Sequence, residues 1–142
     1  MLLVICFLNG CVTQQPLKKV TQSGKPEGIY KNKTKESVKD VLIGYCNQNG
    51  MMVYDSNDSS VTCGKERTDA AGILVQAMIG NAHSTTPVQK ILFTIGKQDK
   101  DVRVWADMWI ETQMATGQIN KAQLTNNNAK NAMQDTLDKL NP

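Results

Sequence analysis

The stretch VRVWADMWIET, residues 102–112, alternates between two kinds of side chain with a period of two. Successive side chains of a β-strand point to opposite faces of a sheet. One face of a strand here is wholly apolar and carries Val102, Val104, Ala106, Met108 and Ile110. The other face carries Arg103, Trp105, Asp107, Trp109 and Glu111. We therefore predict a strand whose apolar face packs under helices and whose second face is more open.

Shorter strands are predicted on the N-terminal side of this stretch. Residues 88–95 (VQKILFTI) have the β-branched and aromatic composition of a strand. The charged segment 96–101 between these two strands predicts a hairpin loop. A second hairpin is predicted from residues 51–54 and 61–63, because the intervening DSNDSS has the composition of a turn.

The segment Thr68–Gly80 fits two structures. Ile73, Val75, Ala77 and Ile79 alternate with their neighbours as in a strand, and glycines bracket a short run. A helix beginning at Asp69 would instead place Ile73, Leu74, Ala77 and Met78 on one stripe. The sequence favours the strand, and the helix remains open.

Helices are predicted at both ends of this region. The segment Thr34–Gly50 has Thr34 as a candidate N-cap, and Asn49-Gly50 is a typical helix end. Its apolar stripe consists of Val38, Val41, Leu42, Tyr45 and Cys46. The C-terminal helix follows the candidate caps Asn126, Asn127 and Asn128, and its stripe consists of Ala129, Ala132, Met133, Leu137 and Leu140.

The order helix, antiparallel strands, helix predicts an α+β fold. We expect a curved antiparallel sheet of about four to five strands, with the N-terminal and C-terminal helices on one face. Residues 36–142 would form this single domain, consistent with a chain of 142 residues. The net charge of +3 gives no support for a nucleic-acid partner, and one histidine excludes a multi-histidine metal site.

The N-terminus carries a motif of another kind. Residues 1–8 (MLLVICFL) are apolar and are followed by Asn9, Gly10 and Cys11. Eight residues are too few to span a bilayer, which takes about 20. Leu8-Asn9-Gly10-Cys11 resembles the lipobox of bacterial membrane lipoproteins. The resemblance implies that residues 1–10 are a signal peptide and that Cys11 becomes the lipidated first residue.

This resemblance also implies a location. No Lys or Arg precedes the apolar run, and the run is short for a signal, so the true start is expected upstream of Met1. A lipidated Cys11 would hold the protein on a membrane of the cell envelope. Val12 rather than Asp after the cysteine implies the outer membrane, facing the periplasm of a Gram-negative host. The alternative is a buried N-terminal strand.

Residues 11–35 are predicted to form a flexible basic tether. The segment is polar and has few large apolar side chains, so it cannot fold alone. It carries six lysines against Glu27: Lys18, Lys19, Lys25, Lys31, Lys33 and Lys35. These charges fit either a solvated linker, which the sequence favours, or attraction to anionic lipid head groups. Fully extended, such a tether would reach tens of ångströms.

Export to an oxidising compartment would favour a disulfide between the remaining cysteines. If Cys6 is removed with the signal and Cys11 carries the lipid, Cys46 and Cys63 remain. An even pair in an oxidising compartment favours a disulfide. The alternative is two reduced cysteines packed in the core.

No motif in the chain predicts catalysis. His83 is the single histidine, in a polar loop beside Ser84, and no nucleophile motif surrounds it. The carboxylates are scattered, and no phosphate-binding loop or metal-ligand spacing is present. We therefore expect no enzyme activity, no catalytic residue, no cofactor and no metal.

The tryptophans supply the candidate binding surface. Tryptophan and arginine are enriched at interaction hot spots, and the more open face of residues 102–112 carries Arg103, Trp105, Asp107 and Trp109. The alternative is that Trp105 and Trp109 pack under a loop or under the tether. The leading hypothesis is a non-catalytic adaptor that binds an envelope protein.

Two other functions remain open. A carrier of a small apolar or lipid ligand would need a pocket lined by Phe93, Met108, Ile110 and Leu137. A hydrolase would need His83 or paired carboxylates to meet in a cleft.

Overall fold

A computed structural model describes residues 14–142, except for the side chains of residues 71 and 74–77. Within this part of the chain the order is β1 (Glu27–Tyr30), α1 (Lys35–Gln48), β2 (Met52–Asn57), β3 (Ser60–Glu66), α2 (Ala70–Ile79), β4 (Val88–Gln98), β5 (Asp101–Gln113), β6 (Ile119–Gln123) and α3 (Asn127–Lys139). The predicted α+β class and the antiparallel sheet are confirmed.

The strands of residues 14–142 form one antiparallel sheet in the order β1-β5-β4-β3-β2, and β6 also pairs with β5. β5 is long enough to hold two short strands on the edge away from β4. β1 pairs with residues 102–105 and β6 pairs with residues 109–113. Between them, the Ala106 N–H donates to the Pro26 carbonyl and the Leu124 N–H donates to the Met108 carbonyl. β5 is therefore an interior strand that pairs with three others, β1, β4 and β6.

The alternation predicted for residues 102–112 is confirmed. Every second residue from Val102 to Thr112 is buried, and the residues between them are partly exposed. The hydrophobic core forms between the buried face of β5 and β4 and the helices packed on it. Burying one large apolar side chain of this kind contributes about 1.5–3 kcal/mol.

Helices α1 and α3 both pack on that face. α1 contributes Val38, Leu42 and Cys46 to the core, and α3 contributes Met133 and Leu137. Thr34 is confirmed as the N-cap of α1, since its Oγ1 accepts from the Ser37 N–H. Of the three candidates for α3, Asn126 is the N-cap, and its Oδ1 accepts from the Ala129 N–H.

The predicted disulfide between Cys46 and Cys63 is also confirmed. It joins α1 to β3, and both cysteines are fully buried. Closing a loop with a sequence separation of 17 residues contributes about 3 kcal/mol in the chain-entropy model.

The prediction of a flexible tether through residue 35 is wrong for its described part. Glu27–Tyr30 forms β1, and α1 begins at Lys35. The side chain of Gln134 in α3 holds β1 from outside: its amide oxygen accepts from the Glu27 N–H, and its amide nitrogen donates to the Glu27 carbonyl. The side-chain amide of Gln134 thus makes the two backbone hydrogen bonds at Glu27 that a neighbouring strand would otherwise make.

The strand favoured for Thr68–Gly80 is wrong as well, because Ala70–Ile79 is helix α2. Asp69 begins it: its carboxylate accepts from the Gly72 N–H, and its carbonyl accepts from the Ile73 N–H. β6 was not predicted, because its sequence INKAQ has little strand character.

The lipobox Leu8-Asn9-Gly10-Cys11 lies outside the described residues, so Cys11 lipidation stays a prediction. Within residues 14–142, no helix has the length and apolar character needed to cross a bilayer.

Candidate functional site

The face of the sheet opposite α1 and α3 carries the predicted binding surface. We call it the open face and define it by Tyr54 of β2, by Lys90, Leu92 and Thr94 of β4, by Arg103, Trp105, Asp107, Trp109 and Glu111 of β5, and by Lys121 of β6. The β4–β5 register places Lys90 beside Trp109, Leu92 beside Asp107 and Thr94 beside Trp105. The four predicted residues, Arg103, Trp105, Asp107 and Trp109, therefore lie in one row on this face.

Trp105 is held at the β1 end of the open face. Its indole Nε1 donates to Glu27 Oε1 at 3.0 Å, and Ser23 Oγ donates to the same oxygen at 2.6 Å. Its ring lies over Gly96, where an added Cβ would come within 2.8 Å of the Trp105 ring. Glu27 is only 6% exposed, so the hydrogen bond that holds the Trp105 indole is made to a buried carboxylate.

Arg103 lies beside Trp105 and is loosely held. Its guanidinium is 3.6 Å from Glu27 Oε2 and 5.9 Å from the centre of the Trp105 ring. Its buried Nε has no hydrogen-bond partner within the described chain. Asp107, the next residue of the row, forms an ion pair of 2.7 Å with Lys25.

Trp109 belongs to a second network. Its indole Nε1 donates to Glu111 Oε2 at 2.7 Å. Lys90 Nζ lies 2.5 Å from the other oxygen of Glu111. Lys121 of β6 approaches from the far side, 3.9 Å from Glu111 Oε2 and 5.3 Å from the centre of the Trp109 ring. The indole orientation is therefore fixed by a carboxylate that is itself held by two lysines.

Tyr54 of β2 extends this network across the sheet. Lys90 Nζ lies 4.2 Å from the centre of the Tyr54 ring, a distance typical of a cation–π contact. The ring packs over Gly64 of β3, where an added Cβ would lie 3.1 Å from it. Tyr54 is 46% exposed and borders a shallow depression of about 190 Å³ that Lys90 and Glu111 also line.

The pKa of Glu111 reflects this arrangement. Burial by itself raises the pKa of the carboxyl, but the hydrogen bonds from Lys90 and Trp109 lower it, as do the charges of Lys90 and Lys121. The net effect is a pKa below the ordinary value. Glu111 is therefore a carboxylate near neutral pH, and it accepts hydrogen bonds instead of donating one.

Five charged or aromatic residues of this site were missed by sequence reasoning: Lys25, Glu27, Tyr54, Lys90 and Lys121. One signal was available for Lys90. The β4–β5 hairpin closes through a tight turn at Asp99 and Lys100, where Asp99 has a φ of 51°. Counting outward from a two-residue turn at these positions places Lys90 opposite Trp109. Glu27 and Tyr54 carried no comparable signal.

The four residues proposed to line an apolar pocket are buried in the hydrophobic core. Phe93 and Leu137 are fully buried in the core, and Met108 and Ile110 are at most 6% exposed. Two open depressions, of about 400 and 530 Å³, are lined mainly by polar and charged side chains such as Lys65, Arg67 and Asp58.

The residues considered for catalysis are not gathered into a site. His83 lies exposed in the loop before β4, where its N–H donates to Asn81 Oδ1. Among residues 14–142, no group of three His, Cys, Asp or Glu side chains is placed to hold a metal ion.

Comparisons with protein-family models, curated proteins and solved structures find no match for this chain. Function must therefore be inferred from the side chains themselves.

Proposed function

We propose that this protein is a non-catalytic lipoprotein of the bacterial envelope whose open face binds a partner protein. A lipid on Cys11 would anchor the protein to the outer membrane, with the folded domain facing the periplasm. The domain of described residues would then act as an adaptor. It would need no cofactor, metal or nucleic acid.

One observation supports this proposal above the others. The open face presents Tyr54, Trp109 and two lysines in a fixed arrangement, because Glu111 accepts from the indole and from Lys90 together. Aromatic and cationic side chains with locked orientations lose little entropy on binding. Tryptophan and tyrosine are also among the residue types that contribute most at protein interfaces.

Trp109 is a better test of this surface than Trp105. Trp105 donates to the buried Glu27 and covers Gly96, so its removal would disturb the sheet. Trp109 donates to Glu111, which keeps Lys90 as a partner when the indole is removed. A loss of binding in Trp109→Ala can therefore be separated from a loss of folding.

We expect Trp109→Ala to weaken partner binding by about thirtyfold or more, the effect of a hot spot of about 2 kcal/mol. The full chain is crosslinked in its membranes, the captured protein is identified by mass spectrometry, and its Kd is measured for each variant. Met78→Ala is the control, because Met78 is 75% exposed on α2, a helix that contributes no residue to the open face.

A protein captured by the wild type and by Met78→Ala, but not by Trp109→Ala, would support the proposal when the wild type and both variants have the same melting temperature. Equal Kd values for Trp109→Ala and the wild type would contradict it. A co-purifying lipid or small molecule without a protein partner would favour the carrier alternative. That alternative currently has less support, since Phe93 and Leu137 pack in the core.

A further inference from the structure

The start of the described chain is fastened to helix α3. The Gln15 carbonyl accepts from Asn127 Nδ2 at 2.7 Å, and the Pro16 carbonyl accepts from Asn131 Nδ2 at 2.9 Å. The Lys18 N–H donates to Asn131 Oδ1 at 2.8 Å, and the Lys18 ammonium pairs with Asp135. Residues 15–18 therefore follow the surface of α3.

This attachment sets a limit on the distance to Cys11. Gln15 follows Cys11 by four positions, and this length of chain can span at most roughly 14 Å. A lipid on Cys11 would thus bring the N-terminal end of α3 close to the bilayer. The domain would not be held tens of ångströms away, as a tether extending to residue 35 would allow.

The surface nearest this point carries four lysines, two of them paired with aspartates, and an exposed apolar side chain. Lys19 donates to the Glu27 carbonyl, and Lys25 pairs with Asp107. Lys130 of α3 borders the same depressions as Lys25. Val20, between the lysines, is 85% exposed. We call this surface, made of Lys18, Lys19, Val20, Lys25 and Lys130, the anchor-side surface.

We infer that the anchor-side surface lies on anionic lipid head groups and holds the domain in one orientation on the membrane. This inference rests on the proposed lipidation of Cys11. Lysines near a membrane surface gain attraction from anionic lipids, and Val20 can enter the interface between them. Lipid anchoring raises the local concentration of this surface at the bilayer, so that individually weak contacts can persist.

The orientation has a consequence for the open face. Lys25 belongs to the anchor-side surface, and its ammonium contacts Asp107 on the open face at 2.7 Å. The two surfaces therefore adjoin. A partner bound to the open face would meet the protein close to the bilayer.

Amine labelling of the full chain tests this orientation. Lipidated protein is placed on vesicles of phosphatidylcholine and phosphatidylglycerol, and Cys11→Ser protein in solution is the reference. We expect labelling of Lys18, Lys19, Lys25 and Lys130 to slow by about fivefold on the vesicles. Lys65 on β3 and Lys100 in the β4–β5 turn are internal controls whose labelling should change little.

A spacer variant tests the short connection. About twelve Gly and Ser residues, inserted between Thr13 and Gln14, add roughly 20 Å of flexible chain. On vesicles of phosphatidylcholine alone, we expect Lys18, Lys19, Lys25 and Lys130 to be labelled faster in the spacer variant than in the protein with its natural connection. Labelling that stays equally slow with the spacer would overturn the short connection as the cause of the orientation.

The outcomes separate this inference from the proposed function. An intact mass without lipid would contradict the lipoprotein proposal, and this inference would fall with it. A mass with lipid, together with equal slowing at Lys65, Lys100 and the four lysines, would overturn the orientation alone.

Discussion

Glu111 is the residue on which the Trp109 network depends. It accepts from the Trp109 indole and lies between the ammonium groups of Lys90 and Lys121. Burial raises its pKa, but these hydrogen bonds and charges lower the pKa further than burial raises it. The carboxylate form is thus favoured by the fold.

This pKa shift predicts a pH dependence of stability. Because the folded pKa lies below the unfolded value of roughly 4.3, the stabilisation is complete above that pH. It is lost as the pH falls through the folded pKa. Between about pH 7 and about pH 3, we expect the wild type to lose more of its free energy of unfolding than Glu111→Gln, measured by urea denaturation.

Glu66→Gln is the matched control, because Glu66 is an exposed glutamate at the end of β3. Its pH dependence should follow the wild type more closely than that of Glu111→Gln. Parallel curves for Glu111→Gln and the wild type would mean that the charge of Glu111 adds no net stability through its contacts with Lys90 and Trp109.

Trp105 and Trp109 show what sequence can and cannot predict about single side chains. Alternation along β5 placed both on the same face, and that placement is correct. It could not distinguish their roles, because Trp105 depends on Glu27 from a strand 78 residues away, whereas Trp109 bonds two residues along its own strand. Long-range partners of this kind leave no local pattern.

Among the elements, the contact between α3 and β1 holds the N-terminal segment. Gln134 is only 3% exposed and bonds to both backbone groups of Glu27. Its amide nitrogen also donates to Asp138. The Glu27 carbonyl has a second donor in Lys19, whereas its N–H depends on Gln134.

Gln134→Met should therefore destabilise the protein while preserving most of the side-chain volume. Leaving the buried Glu27 N–H without a partner costs about 1–3 kcal/mol in the free energy of unfolding, measurable by urea denaturation. Amide hydrogen exchange should also accelerate in residues 27–30. Thr136→Val is the control, since it removes a bond internal to α3. Unchanged exchange at 27–30 would show that Gln134 does not hold β1.

The elements that were predicted correctly have a recognisable pattern within their own sequence. α1 and α3 have N-caps and an apolar stripe, and every second residue of β5 from Val102 to Ile110 is apolar. β1 and β6 have only four and five residues, and they form because β5 offers an unpaired edge to both. α2 is apolar on nearly all positions, so a helical and a strand period fit it about equally well.

The two faces of the sheet differ: one is packed against helices, and the other carries exposed and partly exposed side chains. One face is covered by α1 and α3, and the Cys46–Cys63 disulfide ties α1 to it. The other face presents ordered aromatic and charged side chains. The N-terminal segment connects the two, because it runs along α3, enters the sheet as β1 and contacts the open face through Lys25.

Lipidation of Cys11 underlies both the proposed adaptor role and the orientation of the domain. The most direct test is membrane fractionation of the wild type and Cys11→Ser, with the intact mass of each and a check of the Cys46–Cys63 bond. We predict that the wild type carries lipid and sediments with membranes, and that Cys11→Ser is released, folded and disulfide-bonded. Wild type without lipid, or Cys11→Ser that still sediments with membranes, would contradict this account.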